Sequence, residues 1–360
     1  MTTAPLIYYD RSRVVTDWKC PRARYYGYEY DGRGLAPDST HLELFLGTTV
    51  HDGLAAIAHN VDIDVIAEKT VSDIRATLLD NTDGIVESEA EMFANEQAAL
   101  AEGMLRGYKQ HVWPGFVKRY PEIVAVEQEM VYEHDGLSFM SKPDLIVKDA
   151  EGNSWYVEYK TTSSSKEQWL NSWTTAIQLH SSVRAVEATF GEAPIGVVVQ
   201  GLYKGYVSYG KQSSPFCYSY YKAGNPPFTK DFYSYEYASG LKRYPVWQMP
   251  GGVKEWVAKM PEAKLSEQFP QVPPVFVNDN MVDTFFAQRA VRENEIAGAR
   301  GSSDRATLDK VFPQHFESCN PGWGKPCPFR LLCFGNVENP LERGFVYRTP
   351  HHKPELEAQG

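Results

Sequence analysis

The chain contains 360 residues, which is enough for one large domain or two modest ones with a substantial core. Hydrophobic residues make up 42% of it, a globular composition, and no apolar run approaches the ~18 residues that span a bilayer. The formal net charge of -10 argues against broad electrostatic adhesion to DNA, although bound metals and a local basic groove can still hold phosphates. The first residues lack the apolar core and cleavage site of a signal peptide, so we expect a cytoplasmic location.

The first third of the sequence predicts a tyrosine-rich segment followed by helices. Residues 1–40 carry Cys20 and four closely spaced tyrosines among basic residues, which suits either base stacking or packing around a metal cluster. The next predicted helix carries His51 near its start, where a lone histidine is more often structural than a ligand. Ser88 to Val112 predicts a second helix because it is rich in Ala, Glu, Leu and Met, and Trp113-Pro114-Gly115 is expected to end it.

The most informative stretch runs from Val124 to Thr162 and predicts three short strands. Asp-Gly and Gly-Asn turn signals separate the strands, as in β-hairpins. Alternate side chains of a strand share a face, so Glu158 and Lys160 point to the same side of the third strand. Asp144 follows a proline, which marks a strand start or a bulge. If the second and third strands pair as a hairpin, Asp144 lies across from Glu158.

Two carboxylates and one ammonium in a shared pocket suit metal-assisted hydrolysis of a phosphodiester. Hard divalent cations bind carboxylates, waters and phosphate oxygens, and they lower the pKa of a bound water. An isolated Glu-x-Lys is more often a solvated ion pair, but here Asp144 precedes it on an adjacent strand and the flanking residues are apolar. Glu127 and Glu129 share one face of the first strand, where one of them could approach a second metal; we favour a solvated face for both and place them outside the site.

Downstream of this stretch the pattern alternates helix and strand. A helix is predicted from about Lys166 to Phe190, stopped by a glycine, with Gln178 one step off its apolar stripe. Ile195 to Leu202 predicts a buried strand, so the core order is β-β-β-α-β. Residues 203–247 are aromatic and turn-rich, which suits a single-strand channel or ordinary β-packing about equally. A further helix is predicted from Asn278 to Ala299.

The five cysteines are the second informative feature. Cys20 lies near the start of the chain, whereas Cys319, Cys327 and Cys333 cluster near its end. A cytosolic cysteine cluster is more often metal-binding than disulfide-forming, and four thiolates can hold zinc or an iron–sulfur cluster. Reduced core thiols are the weaker interpretation, because prolines, glycines and charges surround these cysteines. Cys217 stands alone in an aromatic stretch and is interpreted as a small buried hydrophobic residue.

Pro143-Asp144 followed by Glu158-Tyr159-Lys160 resembles the PD-(D/E)XK signature of metal-dependent nucleases. Further features resemble the RecB-like exonuclease branch of that superfamily, which includes the CRISPR-associated adaptation nucleases and phage exonucleases. His51, in Gly-Thr-Thr-Val-His, matches the histidine motif of that branch, and Gln178 matches the glutamine of its Gln-x-x-x-Tyr helix. The sequence departs from the family pattern at Ser182, where tyrosine is expected, and at Ser141, where glycine is common.

The resemblance implies an α/β restriction-endonuclease-like core, with a mixed central β-sheet flanked by helices. It implies a magnesium or manganese ion held by His51, Asp144, Glu158 and the backbone carbonyl of Tyr159. It also implies that Lys160 positions the attacking water, and that Gln178 supports the site from its helix. Asp144, Glu158, Lys160 and Gln178 are therefore the predicted catalytic residues.

One N-terminal cysteine plus three C-terminal ones, with Cys-Pro at both places, resembles the iron–sulfur staple of the CRISPR adaptation nucleases and of AddB. The resemblance implies a 4Fe–4S cluster held by Cys20, Cys319, Cys327 and Cys333, which would join the two termini and close the nuclease fold. Structural zinc is the alternative cofactor, since all-cysteine sites suit it too. These features predict four parts: an N-terminal segment 1–40, a nuclease core 41–260 with the aromatic insertion 203–247, a helical part 261–342 with the cluster cysteines, and a loose tail 343–360.

We therefore predict a metal-dependent DNA exonuclease that acts on single strands or free DNA ends in recombination, repair or phage DNA processing, in the host cytoplasm if phage-encoded. The alternatives are a non-catalytic DNA-binding or assembly protein on a nuclease scaffold and a sequence- or structure-specific endonuclease. No GxxxxGK[ST] phosphate loop is present, so a helicase, recombinase or single-strand-binding partner would be a separate polypeptide. The sequence does not specify an oligomeric state.

Overall fold

The structure is a computed structural model, and the ranges it describes are 7–38, 42–80, 86–173, 176, 179, 182–205, 207–208, 211–222, 235–236, 241–300, 302, 304–320, 326–335, 337, 339–350, 352 and 355–356. The strands are β1 Tyr8–Tyr9, β2 Leu35–Pro37, β3 Glu122–Val126, β4 Met130–His134, β5 Leu137–Ser141, β6 Leu145–Lys148, β7 Ser154–Thr162, β8 Gly196–Tyr203, β9 Val207–Ser208, β10 Lys211–Gln212, β11 Tyr218–Lys222, β12 Tyr235–Glu236, β13 Leu241–Pro245, β14 Val275–Phe276 and β15 Phe345–Tyr347.

The α-helices are α1 Arg11–Lys19, α2 Pro21–Arg24, α3 Leu42–Ala58, α4 Ile63–Asp80, α5 Glu87–Gly107, α6 Trp113–Arg119, α7 Lys166–Asn171, α8 Val183–Phe190, α9 Gly252–Ala258, α10 Glu262–Gln268, α11 Asp279–Ala299, α12 Arg305–Val311, α13 Phe316–Cys319 and α14 Arg330–Phe334. Wider π-turns follow α2 and α5, at Tyr25–Glu29 and Tyr108–Val112. Within the described part of the chain, no helix is both long and apolar enough to cross a membrane.

A mixed five-stranded sheet, in the order β14-β8-β7-β6-β3, forms the centre of the molecule. β7 and β8 run parallel, whereas β6 is antiparallel to both β7 and β3. One face of the sheet packs against α3, α4 and α5 through side chains such as Val157, and the opposite face packs against α7 and α8 through Tyr156. Both faces are covered, so the strands are nearly continuously apolar. The predicted α/β architecture with a mixed sheet between helices is confirmed.

The hairpin stretch is divided between two sheets, which the alternation pattern did not predict. The expected first strand, Val124 to Glu133, is interrupted between β3 and β4, where Glu127 has a left-handed φ of 49°. β4 instead pairs with β5 across the predicted Asp135-Gly136 turn, whose φ values are 48° and 74°. The expected second strand, Phe139 to Val147, is divided around Pro143, in keeping with the missing amide hydrogen of proline.

Two predicted helix boundaries are wrong. Pro114 occupies the first turn of α6 instead of ending the preceding helix. A proline fits there because a first-turn residue needs no amide hydrogen for an intrahelical hydrogen bond. The expected helix from Lys166 to Phe190 is interrupted: α7 ends at Asn171, with Ser172 as its C-cap, and α8 starts after Ser182 and stops, as predicted, at Gly191 with a φ of 77°. Gln178 lies outside the described residues.

The beginning and end of the described chain pack together. A network of buried ion pairs joins the N-terminal segment to α11, and its members are Asp17, Arg24, Glu29, Arg289, Arg292, Glu293 and Arg300. β15 pairs with β2, and the side chains of His352 and Glu355 are buried. The expectation of a loose tail after about Arg343 is therefore wrong for the described residues, while the domain boundaries stay predictions.

Candidate metal centre

The two predicted carboxylates lie directly before β6 (Asp144) and in the middle of β7 (Glu158). Leu145 pairs with Val157, so the same antiparallel register, extended by one residue, brings Asp144 opposite Glu158. Only 7% of Asp144 and 5% of Glu158 is exposed. Both line a cavity of about 640 Å³, together with Lys160, which follows Glu158 by one strand period. The two acids therefore share one cavity, although Glu158 is not among the residues whose ligand atoms lie within 4.8 Å of one another.

Asp144 is held by hydrogen bonds from two other elements. Its Oδ1 lies 2.9 Å from Nδ1 of His51, on α3, and its Oδ2 accepts a hydrogen bond of 2.6 Å from the backbone N–H of Tyr159. Burial by itself would raise the pKa of Asp144, but His51, Lys160 and this backbone donor together hold it below its usual value. Burial in turn opposes a charge on His51, yet Asp144 outweighs that effect and raises the pKa of His51.

Glu158 is surrounded by donors, each reaching it from the same cavity. The Lys160 ammonium contacts one carboxylate oxygen and the Tyr156 hydroxyl donates to the other. A second cation, Arg11 from the start of α1, has its Nη1 at 3.6 Å from Oε1 of Glu158. The Tyr159 side chain points to the other face of β7, where its hydroxyl meets that of Tyr108 at 2.7 Å. The Tyr159 side chain therefore lies on the side of β7 opposite Glu158 and Lys160, as predicted.

A third acid, Glu127, completes a compact ligand group that sequence reasoning missed. One ligand atom each from His51, Glu127 and Asp144 lies within 4.8 Å of the others. The left-handed backbone at Glu127 interrupts β3 and lets its N–H donate to the carbonyl of Asp144 at 3.0 Å. Burial and the charge of Asp144 raise the pKa of Glu127, while Lys142 lies 2.8 Å from its carboxylate. Its interpretation as a solvated residue is therefore wrong.

No glycine or proline marks Glu127 as a break, so the period-2 pattern concealed it. The only available signal was the density of acids around it, Glu127 and Glu129 directly after an apolar run. Glu129 faces elsewhere, with its Oε1 at 3.3 Å from Nδ1 of His352.

The donor set of the group fits a divalent cation. It offers two carboxylates and one imidazole nitrogen, and magnesium and manganese prefer oxygen ligands, with the imidazole extending the set toward softer ions. A cation there would also offset the mutual repulsion that raises the pKa of Glu127. Glu158 lines the same cavity beside this group. The Tyr159 carbonyl remains a predicted ligand.

The two departures from the family pattern contact each other. The hydroxyl of Ser141, where the pattern has glycine, donates to the hydroxyl of Ser182, where it has tyrosine, at 2.6 Å. Both residues line the cavity wall. The phenol of Tyr156, which hydrogen-bonds to Glu158, lines it as well. The chain therefore has a tyrosine hydroxyl at the site although position 182 is serine.

The four cysteines from the two ends of the chain lie in one region but do not form a tight ligand group. The backbone N–H of Cys327 donates to the carbonyl of Cys319 at 3.1 Å. Burial, and then Cys327, Cys20 and Cys319, raise the pKa of Cys333 to about 12. Among the described residues, however, no three of these sulfurs lie within 4.8 Å of one another. Cys217 is fully buried in the main core, as predicted.

Comparison with known proteins identifies the family. A search of curated proteins found no match for this chain. The family model of the PD-(D/E)XK nuclease superfamily matches residues 12–333, a span that contains His51, Glu127, Asp144 and the Glu-x-Lys pair. Because this match covers most of the chain, the chain belongs to the PD-(D/E)XK nuclease superfamily.

Proposed function

We propose that the protein is a magnesium- or manganese-dependent deoxyribonuclease that hydrolyses phosphodiester bonds, with exonuclease action favoured. The observation that carries the proposal is the convergence of Asp144, Glu127 and His51 within 4.8 Å, beside Glu158 and Lys160 in one cavity. Acids and an amine in this arrangement suit metal-assisted hydrolysis of a phosphodiester by water, and the described residues that line the cavity include no cysteine as an alternative nucleophile.

In this proposal each side chain has one role. Asp144, Glu127 and His51 hold the cation, with Glu158 and the Tyr159 carbonyl as further ligands. A bound divalent cation lowers the pKa of water and neutralises charge that develops on the phosphate. The Lys160 ammonium donates a hydrogen bond to the attacking water and fixes its direction.

Gln178, on the segment between α7 and α8, is proposed to support the site by hydrogen bonding to the water, the phosphate or a ligand carboxylate. Its amide offers both donors and an acceptor, which suits any of these partners. This role rests on the resemblance of Gln178 to the glutamine of the Gln-x-x-x-Tyr helix in the RecB-like branch.

The preference for DNA ends rests on the resemblance to the RecB-like branch. In that branch the histidine motif accompanies exonuclease activity, and His51 contacts Asp144 at 2.9 Å. The substrate would be single-stranded DNA or DNA with free ends, delivered by a separate helicase, recombinase or single-strand-binding protein. The intact group of Asp144, Glu158 and Lys160 weighs against a non-catalytic scaffold, because a retired site has no reason to retain all three.

The test uses linear and circular DNA of the same sequence, incubated with magnesium and with the wild type or Glu158→Ala. The wild type should shorten linear DNA progressively and leave the circle intact, and Glu158→Ala should lose cleavage while keeping its unfolding transition. Discrete fragments or a nicked circle would favour the endonuclease alternative. Full activity of Glu158→Ala would contradict the metal assignment.

We further propose that Cys20, Cys319, Cys327 and Cys333 hold a 4Fe–4S cluster. Tetrahedral zinc with Zn–S bonds of about 2.3 Å would require sulfurs about 3.8 Å apart, which is closer than these thiols lie as a group. A cluster that contains iron and sulfide between the ligands suits a wider spacing. Their position between α2, α13 and α14 would join the two ends of the chain.

Anaerobic purification tests this cofactor. Brown protein with a broad absorption band near ~400 nm, together with iron and sulfide, would support the cluster. Colourless protein that contains zinc would instead support the alternative.

A further inference from the structure

An arginine outside the ligand group reaches into the cavity from the start of α1. Nη1 of Arg11 lies 3.6 Å from Oε1 of Glu158, and 45% of the Arg11 side chain is exposed. The same cavity contains Lys160 and His51. Arg11 therefore brings a further positive charge to the cavity that holds the ligand group, from an element that carries no predicted ligand.

The backbone on both sides of Arg11 is fixed by residues from the other end of the chain. Glu355 accepts hydrogen bonds from the backbone N–H of Tyr8 at 2.8 Å and from Nη2 of Arg13 at 2.9 Å. Asp10 accepts from the backbone N–H of Arg13 at 2.8 Å and contacts Nε2 of His352 at 3.0 Å. Because these contacts hold the first turn of α1, the Arg11 side chain starts from a rigid base.

The cations of the cavity are not equivalent. Lys142 pairs with Glu127 at 2.8 Å, and Lys160 contacts Glu158 directly. Arg11 stands beyond hydrogen-bond distance of Glu158, so its attraction to that carboxylate is a longer-range ion pair. A divalent cation that uses the Glu158 oxygens would weaken this pair further. The planar guanidinium would then present two parallel N–H donors, which match two oxygens of a phosphate.

We propose that Arg11 is a further catalytic residue that donates hydrogen bonds to the non-bridging oxygens of the phosphate being cleaved. This inference rests on the proposed nuclease function. Arg11 forms no covalent bond and transfers no proton; it stabilises the negative charge that increases on the phosphate as the attacking water adds. Arg11 is not among the ligands of the cation, so its removal should affect the rate of hydrolysis and not metal binding.

The test compares Arg11→Ala and Arg11→Lys with the wild type on single-stranded DNA in saturating magnesium. Arg11→Ala should lower kcat by about 100-fold, as loss of one preorganised donor does. Arg11→Lys should recover part of this loss, because lysine keeps the positive charge but lacks the two parallel N–H donors of the guanidinium. Manganese affinity, measured by calorimetry on the full chain, should be unchanged. Arg75→Ala, an exposed arginine on α4, is the matched control.

A second substrate separates phosphate contact from a structural role. In a single-turnover assay, a methylphosphonate at the cleaved position removes one charged oxygen, so Arg11→Ala should add little to the loss that the wild type already shows. An equal extra loss on both substrates, or a kcat of Arg11→Ala within about twofold of the wild type, would overturn the inference. If the wild type does not cleave unmodified DNA, the proposed nuclease function is wrong, and the role of Arg11 is wrong with it.

Discussion

Glu127 shows how much of the site depends on a single backbone conformation. Its φ of 49° interrupts β3 and turns the carboxylate toward His51 and Asp144. A residue other than glycine in this region is strained, and such strain recurs at functional sites. The motif residues Asp144, Glu158 and Lys160 could be predicted because strand alternation fixes their side. Glu127 could not, because nothing in its neighbours disfavours a continuous strand.

Replacing Glu127 with glutamine should weaken metal binding without abolishing it. The amide keeps the size of the side chain but loses the charge that attracts the cation, and Asp144 and His51 remain. We expect manganese affinity to fall by about 10- to 100-fold, as measured by calorimetry. Glu133→Gln, an exposed acid on the neighbouring β4, is the control. Equal manganese affinities for the two variants would show that Glu127 is a solvated residue that does not bind the cation.

Strand β8 supports the site because it packs closely against other segments of the chain. Gly201 pairs in register with Lys160 on the adjacent β7, and its N–H donates to the carbonyl of Pro270 at 2.7 Å. A Cβ at this position would lie 2.8 Å from the ring of Trp169 and 2.9 Å from the Pro270 carbonyl oxygen. The apolar run predicted this strand, whereas its tight fit depends on partners distant in sequence.

Gly201→Ala should therefore lower the free energy of unfolding by about 1–3 kcal/mol, the usual cost of overpacking a tight core. Urea unfolding measures this loss. Gly115→Ala is the matched control, because no atom lies within 4 Å of its Cβ position and alanine is the better helix former in α6. A stability of Gly201→Ala equal to that of the control would show that β8 adjusts without cost.

The beginning and the end of the described part of the chain meet beside the cavity. The sequence predicted such a meeting from the cysteines alone. It did not predict the contact of His352 with Asp10, since neither residue belongs to a periodic pattern. Long-range polar contacts of this kind depend on the completed fold, and for this reason the end of the chain looked loose in the sequence.

This contact should make the attachment of the end segment depend on pH. Burial opposes a charge on His352, but Asp10 and Glu129 outweigh it and raise the pKa of His352. Burial likewise opposes a charge on Asp10, but His352 and Arg13 lower the pKa of Asp10 to about 2. The stabilisation that charged His352 contributes is complete below the pKa of an unfolded histidine, roughly 6.5, and is lost as pH rises through the pKa of His352 in the folded protein. The stabilisation that ionised Asp10 contributes is complete above pH 3.8, the usual pKa of aspartate, and is lost as pH falls to about 2.

Hydrogen exchange of residues 8–13 should therefore be slower at pH about 6 than at pH about 9, after correction for intrinsic rates. Asp10→Asn keeps an acceptor for the helix start but loses the ion pair, and we expect it to remove this difference and to cost roughly 2 kcal/mol of stability. His59→Gln, which changes an exposed histidine, should leave it intact. A pH response that survives in Asp10→Asn would assign it to other groups.

The most direct test of a catalytic cation bound by Asp144 is a magnesium titration of DNA cleavage by the wild type and Asp144→Asn, with Glu133→Gln as control. The asparagine retains an acceptor for the Tyr159 N–H and should stay folded, but it cannot supply the charge that binds the cation. We expect no cleavage by the wild type in a chelator, recovery with magnesium, and no recovery for Asp144→Asn at any magnesium concentration. Cleavage by the wild type in the chelator, or a normal titration curve for Asp144→Asn, would contradict it.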